Sequence, residues 1–218
     1  MPLRGALFLP LKRQLGGCLM DDVVQAAGHA CLVPLVEDKD FSAPFQKSAK
    51  RVSGRVGMVA NNVRAMANSP ELGATMRQFL DDVWDQGDLP KPMKALIRNK
   101  VSNINACLYC SAHQVRVMES QGVAREKIDN MYDYLSHPAF SDKERAILAY
   151  CEALTLDAGA ISEDVVATFM EHTTAQERTE VTIVAAAMGL LNRLNDGLRV
   201  PLEEPMLEIA SGISFEPK

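Results

Sequence analysis

SDKERAILAYCEALTL, residues 141–156, opens on Ser141-Asp-Lys-Glu144. In a Ser-x-x-Glu pattern the first and fourth side chains each cap a backbone N–H at a helix start. The apolar run behind it, AILAYCEALTL, is the body of that helix. Further along, Thr174-Ala-Gln-Glu177 repeats the device ahead of TEVTIVAAAMGLLNRLNDGL (179–198), the most apolar helix of the chain, with its end predicted at Gly197. Ser162 begins a weaker box, because Val165 stands where Glu or Gln would complete it. Nowhere do several alternating strand runs follow one another across tight turns. Three helices that start this cleanly predict an all-α bundle.

Upstream, Ser69 reads as an N-cap with Pro70 at the first helical position, and that helix runs to about Gln86 before Gly87 closes it. Leu89-Pro90 open the next, PKPMKALIRNKVSNI (90–104). VSGRVGMVANNVRAMA (52–67) has helical apolar spacing, whereas EDKDFSAPFQKSAK (37–50), charged and broken by Pro44, reads as a loop or linker. Asp21-Asp22 suit a helix start for VVQAAGHACLVPL, which Pro34 ends. Downstream, QVRVMESQG ends a helix at Gly122, VAREKIDNMYDYL is a further short helix, and His137-Pro138 mark a turn. The tail from Pro201 holds three prolines and little periodicity, so it reads as an arm. The expected organisation is an N-terminal helix and linker (1–50), a helical domain (51–204) and a C-terminal arm (205–218).

Composition narrows the function. At 218 residues and 47% hydrophobic, the chain can bury one sizeable core. A net charge of −5 and 6% aromatic residues argue against a nucleic-acid partner, which needs a basic stripe or stacking platform. The start, MPLRGALFLPLKRQLGG, is interrupted by Pro10 and Lys12 before a signal-peptide core could form, and no later stretch reaches the about 18 apolar residues of a membrane span. The expectation is a soluble cytoplasmic protein without membrane contact. Five cysteines at uneven spacing do not form the framework of a small secreted domain. In a reducing compartment a close pair is redox-active or metal-binding.

That pair lies in NACLYCSAH, residues 105–113. Asn105 reads as an N-cap, so Cys107 and the residues after it form the first turns of a helix. Unpaired N–H groups and the positive end of the helix dipole favour a thiolate there. Cys107 and Cys110 are three apart and share a face, within disulfide reach, and His113 stands on the same face as a base or an imidazolium for the thiolate. Half of a zinc site is the competing reading, but a closed site needs four ligands and His29, His137 and His172 are scattered, so neither metal nor cofactor is expected. Two small thiols packed on an apolar face are the other alternative. Cys18, Cys31 and Cys151 lie in apolar stretches and are assigned to packing. Tyr109, between the two cysteines, is also read as a packing residue.

With NACLYCSAH, the segments VRAMANSPELGATMRQFL (63–80), LPKPMKALIRNKVSNI (89–104), FSDKERAILAYCEALT (140–155) and AAAMGLLNRLNDGLRVPLE (185–203) make the chain resemble the alkylhydroperoxidase AhpD / carboxymuconolactone decarboxylase superfamily, particularly its peroxidase-related branch. The resemblance spans about residues 52–204. It implies an AhpD-like helical bundle, an obligate oligomer, and thiol-based reduction of peroxides. Carried across, it makes Cys110 the reacting thiol, Cys107 the partner that resolves it into a disulfide, and His113 the base. Two positions depart from the family pattern. The usual His, four residues after the second Cys, is replaced by Gln114, with His113 one residue earlier on the same helix face. The usual relay Glu, twelve residues before the first Cys, falls on Ala95, so that relay is absent; Glu119, Glu177 and Glu180 read as solvent-exposed helix charges.

Three functions follow. The first is a thiol peroxidase that acts on a small-molecule peroxide and takes its electrons from a dithiol reductant. The second is a cofactor-free decarboxylase or lactone-processing enzyme, as in the other branch, whose members generally lack the cysteine pair. The third is a non-catalytic oligomeric protein that keeps the fold. The helix TEVTIVAAAMGLLNRL is apolar on more than one face, which predicts a homo-oligomer, most simply a two-fold dimer.

Overall fold

The computed structural model describes residues 30–213 and 215, and among them there are helices and turns but no strand. Ten α-helices follow in chain order: α1 (Ala43–Val56), α2 (Asn61–Met66), α3 (Pro70–Asp85), α4 (Lys91–Ile104), α5 (Leu108–Ser120), α6 (Arg125–Asp129), α7 (Asp142–Leu156), α8 (Glu163–His172), α9 (Ala175–Leu198) and α10 (Glu204–Ser211). Short 3₁₀ turns occupy Asp38–Asp40 and Met131–Asp133. None of these helices is long and apolar enough to cross a membrane.

The local signals explain most of these starts. Both predicted boxes close: Ser141 accepts from the Glu144 N–H and Thr174 from the Glu177 N–H, each Glu reaching back to the cap. Proline stands in the first turn of α1, α3, α4 and α10, where the missing N–H would have had no helical partner.

That last rule overturns two expectations. Residues 37–50 are not a linker, because Pro44 begins α1 instead of breaking it, and Phe45 and Ala49 of that helix enter the core. The tail from Pro201 is not an arm. Pro205 begins α10, whose Met206 and Ala210 are fully buried, and α10 packs on α5. The single helix expected over 52–67 is split at Gly57, whose left-handed backbone (φ 82°) ends α1 before α2 begins. VAREKIDNMYDYL divides into α6 and a 3₁₀ turn, and α9 runs one residue past Gly197. Of the helix expected after Asp22, residues 30–36 are non-helical and the remainder, with Cys18 and His29, lies outside the described residues.

At the centre stands α4, buried from Met93 through Ser102 and packed against α5, α7 and α9. Close approach elsewhere depends on Gly73 in α3: a Cβ there would lie 2.3 Å from the Met66 carbonyl oxygen and 2.9 Å from the Phe45 ring. The bundle brings α5, the C-terminal half of α9 and the inner faces of α1, α3 and α4 to one cavity, while the segment before α10 packs on α5 behind it.

Candidate active site

The turn between α4 and α5 is a helix stop followed at once by a helix start. Asn105 is the C-cap of α4 and not the N-cap expected; Ala106 takes a left-handed backbone (φ 55°). The Ala106 N–H bonds to Asn103 O at 3.0 Å and the Cys107 N–H to Ser102 O at 3.1 Å, the paired closure of a Schellman motif. Cys107 thereby becomes the N-cap of α5, and Cys110 the third residue of its first turn. The Asn105 side chain is used elsewhere, donating to Asn192 Oδ1 at 2.8 Å.

The two sulfurs are 2.7 Å apart as free thiols, so a small rotation would close a disulfide. Their surroundings differ. Cys107 is fully buried and does not reach the cavity. Burial, reinforced by the hydrogen bond to Cys110, pushes its thiol far up, so it stays protonated and donates S–H to the Cys110 sulfur. Cys110 lines a cavity of about 50 Å³ and accepts a second hydrogen bond from Asn195 Nδ2 at 3.1 Å. Cys151 is buried away from the site, its thiol pushed up by burial, and Cys31 donates to Leu198 O at 3.3 Å.

His113 lines the same cavity but does not hydrogen-bond the thiol. Nδ1 lies 2.8 Å from Tyr109 O one turn earlier, which requires a proton on Nδ1, and Nε2 lies 2.9 Å from Glu203 Oε2. Glu203 is the carboxylate that the sequence reading missed. Burial alone would push its carboxyl up, but the adjacent His113 imidazole and the Asn61 N–H hold it below the usual carboxylate range. Tyr109 is more than packing: it stacks on His113 with centroids 4.3 Å apart and donates its OH to Glu203 Oε1 at 2.9 Å while accepting from the Asn62 N–H. The phenol is pushed well up by burial and by the Glu203 charge, so it remains a donor.

Ala95, the expected relay position, is buried in α4 and lies outside the cavity lining. Gln114 does line the cavity, its Oε1 buried without a partner. The three glutamates read as helix charges all lie elsewhere: Glu119 pairs with exposed Arg125, Glu177 caps α9, and Glu180 accepts from the Asp88 and Leu89 N–H groups. Signals for Glu203 existed, since Pro205 followed by Met206, Leu207, Ile209 and Ala210 is a helix start with apolar spacing. Among the described residues no group of three or more His, Cys, Asp or Glu could hold a metal ion.

Known proteins share this architecture. The family model described as carboxymuconolactone decarboxylase family matches residues 70–153, from α3 into α7. The debrominase Bmp8, solved as a cysteine-to-alanine variant with 2,3,4-tribromopyrrole, superimposes with a TM-score of 0.78 at 17% identity, covering 86% of this chain and all of that one. A peroxidase-related protein from Ralstonia eutropha JMP134, described as an alkylhydroperoxidase AhpD core, gives 0.72 at 19%, covering 87% of this chain and all of that one. In sequence, YnjA of Escherichia coli (strain K12) is 25% identical over 112 residues, which is 51% of this chain and 61% of YnjA. Residues 70–153 thus match the carboxymuconolactone decarboxylase family model, and the chain shares the helical fold of the debrominase and of the AhpD-like protein.

Proposed function

We propose that the protein is a thiol-dependent oxidoreductase that reduces peroxides through the Cys107–Cys110 pair. One observation carries this reading: the two thiols are unequal. Cys110 faces the cavity and collects donors, whereas Cys107 is sealed and holds its proton. In the first step the Cys110 thiolate attacks the distal oxygen of R–O–OH. The S–O bond forms, the O–O bond breaks, and the alkoxide leaves and takes a proton to become the alcohol. His113 lines the cavity and supplies that proton from Nε2, the nitrogen not engaged by the Tyr109 carbonyl, with Glu203 beside it to restore the proton. In the second step the Cys107 thiol condenses with the sulfenic acid, giving the disulfide and water. A dithiol donor then returns two electrons and two protons to the pair, chemistry that suits a reducing cytoplasm.

The test is hydroperoxide consumption in the presence of a dithiol reductant. Cys110→Ala should abolish it. Cys107→Ala should give a single turnover, ending in a sulfenic acid that dimedone traps on Cys110. A wild-type protein that consumes no hydroperoxide, or a Cys110→Ala variant as fast as wild type, overturns the reading; decarboxylation or lactone opening that survives Cys110→Ala would favour the cofactor-free branch instead.

A further inference from the structure

The central helix α4 carries three buried cations, and two of them are matched. Lys94 donates to the carbonyls of Val83, at 3.0 Å, and Gln86. Lys100 pairs with Glu152 at 2.6 Å. Arg98 is 7% exposed and lies over the ring of Trp84, with its guanidinium carbon 4.2 Å from the centroid, while its buried Nε has no acceptor. Burial, with the like charges of Arg55 and Arg77, pushes this guanidinium down to about 9. The charges that favour Arg98 are those of Cys110 and then Asp85; Asp85 is itself paired with Arg55 at 2.8 Å and Arg77 is matched by Asp81 at 3.0 Å, so Arg98 has no carboxylate of its own. Keeping a guanidinium buried with no carboxylate of its own and an unbonded Nε is costly, so the site suits an anion that arrives beside the sulfur.

The same cavity explains what arrives. Arg55, Arg77 and Arg98 line it together with the Cys110 sulfur, and no carboxylate does. A volume of about 50 Å³ is room for roughly four or five small heavy atoms, taking about 10–15 Å³ of such space per water. We propose that the cavity is a carboxylate site made by Arg98 beside Cys110, and that the preferred oxidants are short-chain peroxycarboxylic acids. This rests on the peroxidase reading above and narrows its substrate. The Cys110 thiolate attacks the terminal peroxy oxygen of R–C(=O)–O–OH; the S–O bond forms, the O–O bond breaks, and the electron pair leaves on R–COO⁻. Sulfur is oxidised to sulfenic acid and the peroxy acid is reduced to the carboxylate. Negative charge therefore grows on the leaving group, where a buried, fixed guanidinium stabilises it most.

Trp84 is the one tryptophan of the chain and lies under Arg98, which makes it a reporter independent of thiol chemistry. At constant ionic strength, acetate should shift Trp84 emission saturably in the wild type and acetamide should not. The acetate response should vanish in Arg98→Gln and persist in Arg98→Lys. The rate of Cys110 oxidation by peracetic acid relative to ethyl hydroperoxide should fall about tenfold or more in Arg98→Gln, in line with the loss of one oxyanion donor. An acetate response no different from that of acetamide overturns the proposal even if Arg98→Gln fails to fold. So does an equal fall with both peroxides, which would confine Arg98 to supporting the thiolate. If acetate binds as described but neither peroxide oxidises Cys110, the carboxylate site stands and the peroxidase reading fails.

Discussion

Ala106 adopts a left-handed backbone that L-residues other than Asn or Asp rarely take, because α4 must stop and α5 must start within three residues for Cys107 to become the cap. Glycine would relieve that cost at the usual residue for such a cap, offset in part by its greater freedom in the unfolded chain. Ala106→Gly should therefore stabilise the protein by up to about 1 kcal/mol, read as a melting rise of ~2–4 °C; a lower melting point would mean that the methyl group packs productively. Glu203 gives a prediction with a definite sign. Its folded pKa is held below the unfolded value, so its contribution is present above the ordinary carboxylate range, about 4.3, and is lost as pH falls through the lower folded value. Chemical denaturation followed from pH 6 down to pH 3 (about the range over which carboxylates titrate) should show a shallower acid decline for Glu203→Gln than for wild type. Parallel slopes would show that His113 does not hold this carboxylate. The same variant should turn over peroxide at least about tenfold more slowly, the usual scale for a group that positions an acid or base.

At the scale of the element, α10 decides whether the site is complete. It brings no residue of its own to the cavity, yet it fixes Glu203, the residue just before its first turn, by burying Met206 and Ala210 against α5. Met206→Ala should cost about 2–5 kcal/mol as a buried truncation and should slow Cys110 oxidation through Glu203 and His113, although Met206 lies outside the cavity lining. Destabilisation with an unchanged rate would separate the helix from the chemistry. This element also marks the limit of what the chain reveals by inspection. Ser141, Thr174 and the first-turn prolines act within four residues, so their consequences are legible from neighbours alone. The Cys-x-x-Cys-x-x-His spacing is legible for the same reason. Glu203 and Asn195 meet α5 only because α9 folds back along it and the chain then turns at Pro201, and no local pattern encodes that return. Arg98 reads in sequence as one of several polar residues of α4; that its buried Nε lacks an acceptor beside Cys110 exists only in three dimensions.

At the scale of the whole molecule, α9 settles part of the expectation drawn from its composition. Val181, Val184, Ala185, Met188 and Leu191 are buried within the chain, so most of its apolar surface is explained by the bundle itself. A stripe remains: Ile183 is 45% exposed and Leu190 is 44% exposed, with exposed Ala186 between them at helical spacing. Apolar side chains aligned on one helix face, with a small residue that lets a second helix approach, are what a two-fold contact between copies would use. The expected state is a homodimer built on this face. Sedimentation equilibrium at micromolar concentration should return twice the 23.9 kDa of one chain, and Ile183→Lys combined with Leu190→Glu should return the monomer with its helical content intact. A wild-type mass that stays at one chain as concentration rises would leave the stripe without this role. A dimer that survives both substitutions would move the contact to another face, and a larger multiple would replace the pair by a closed ring.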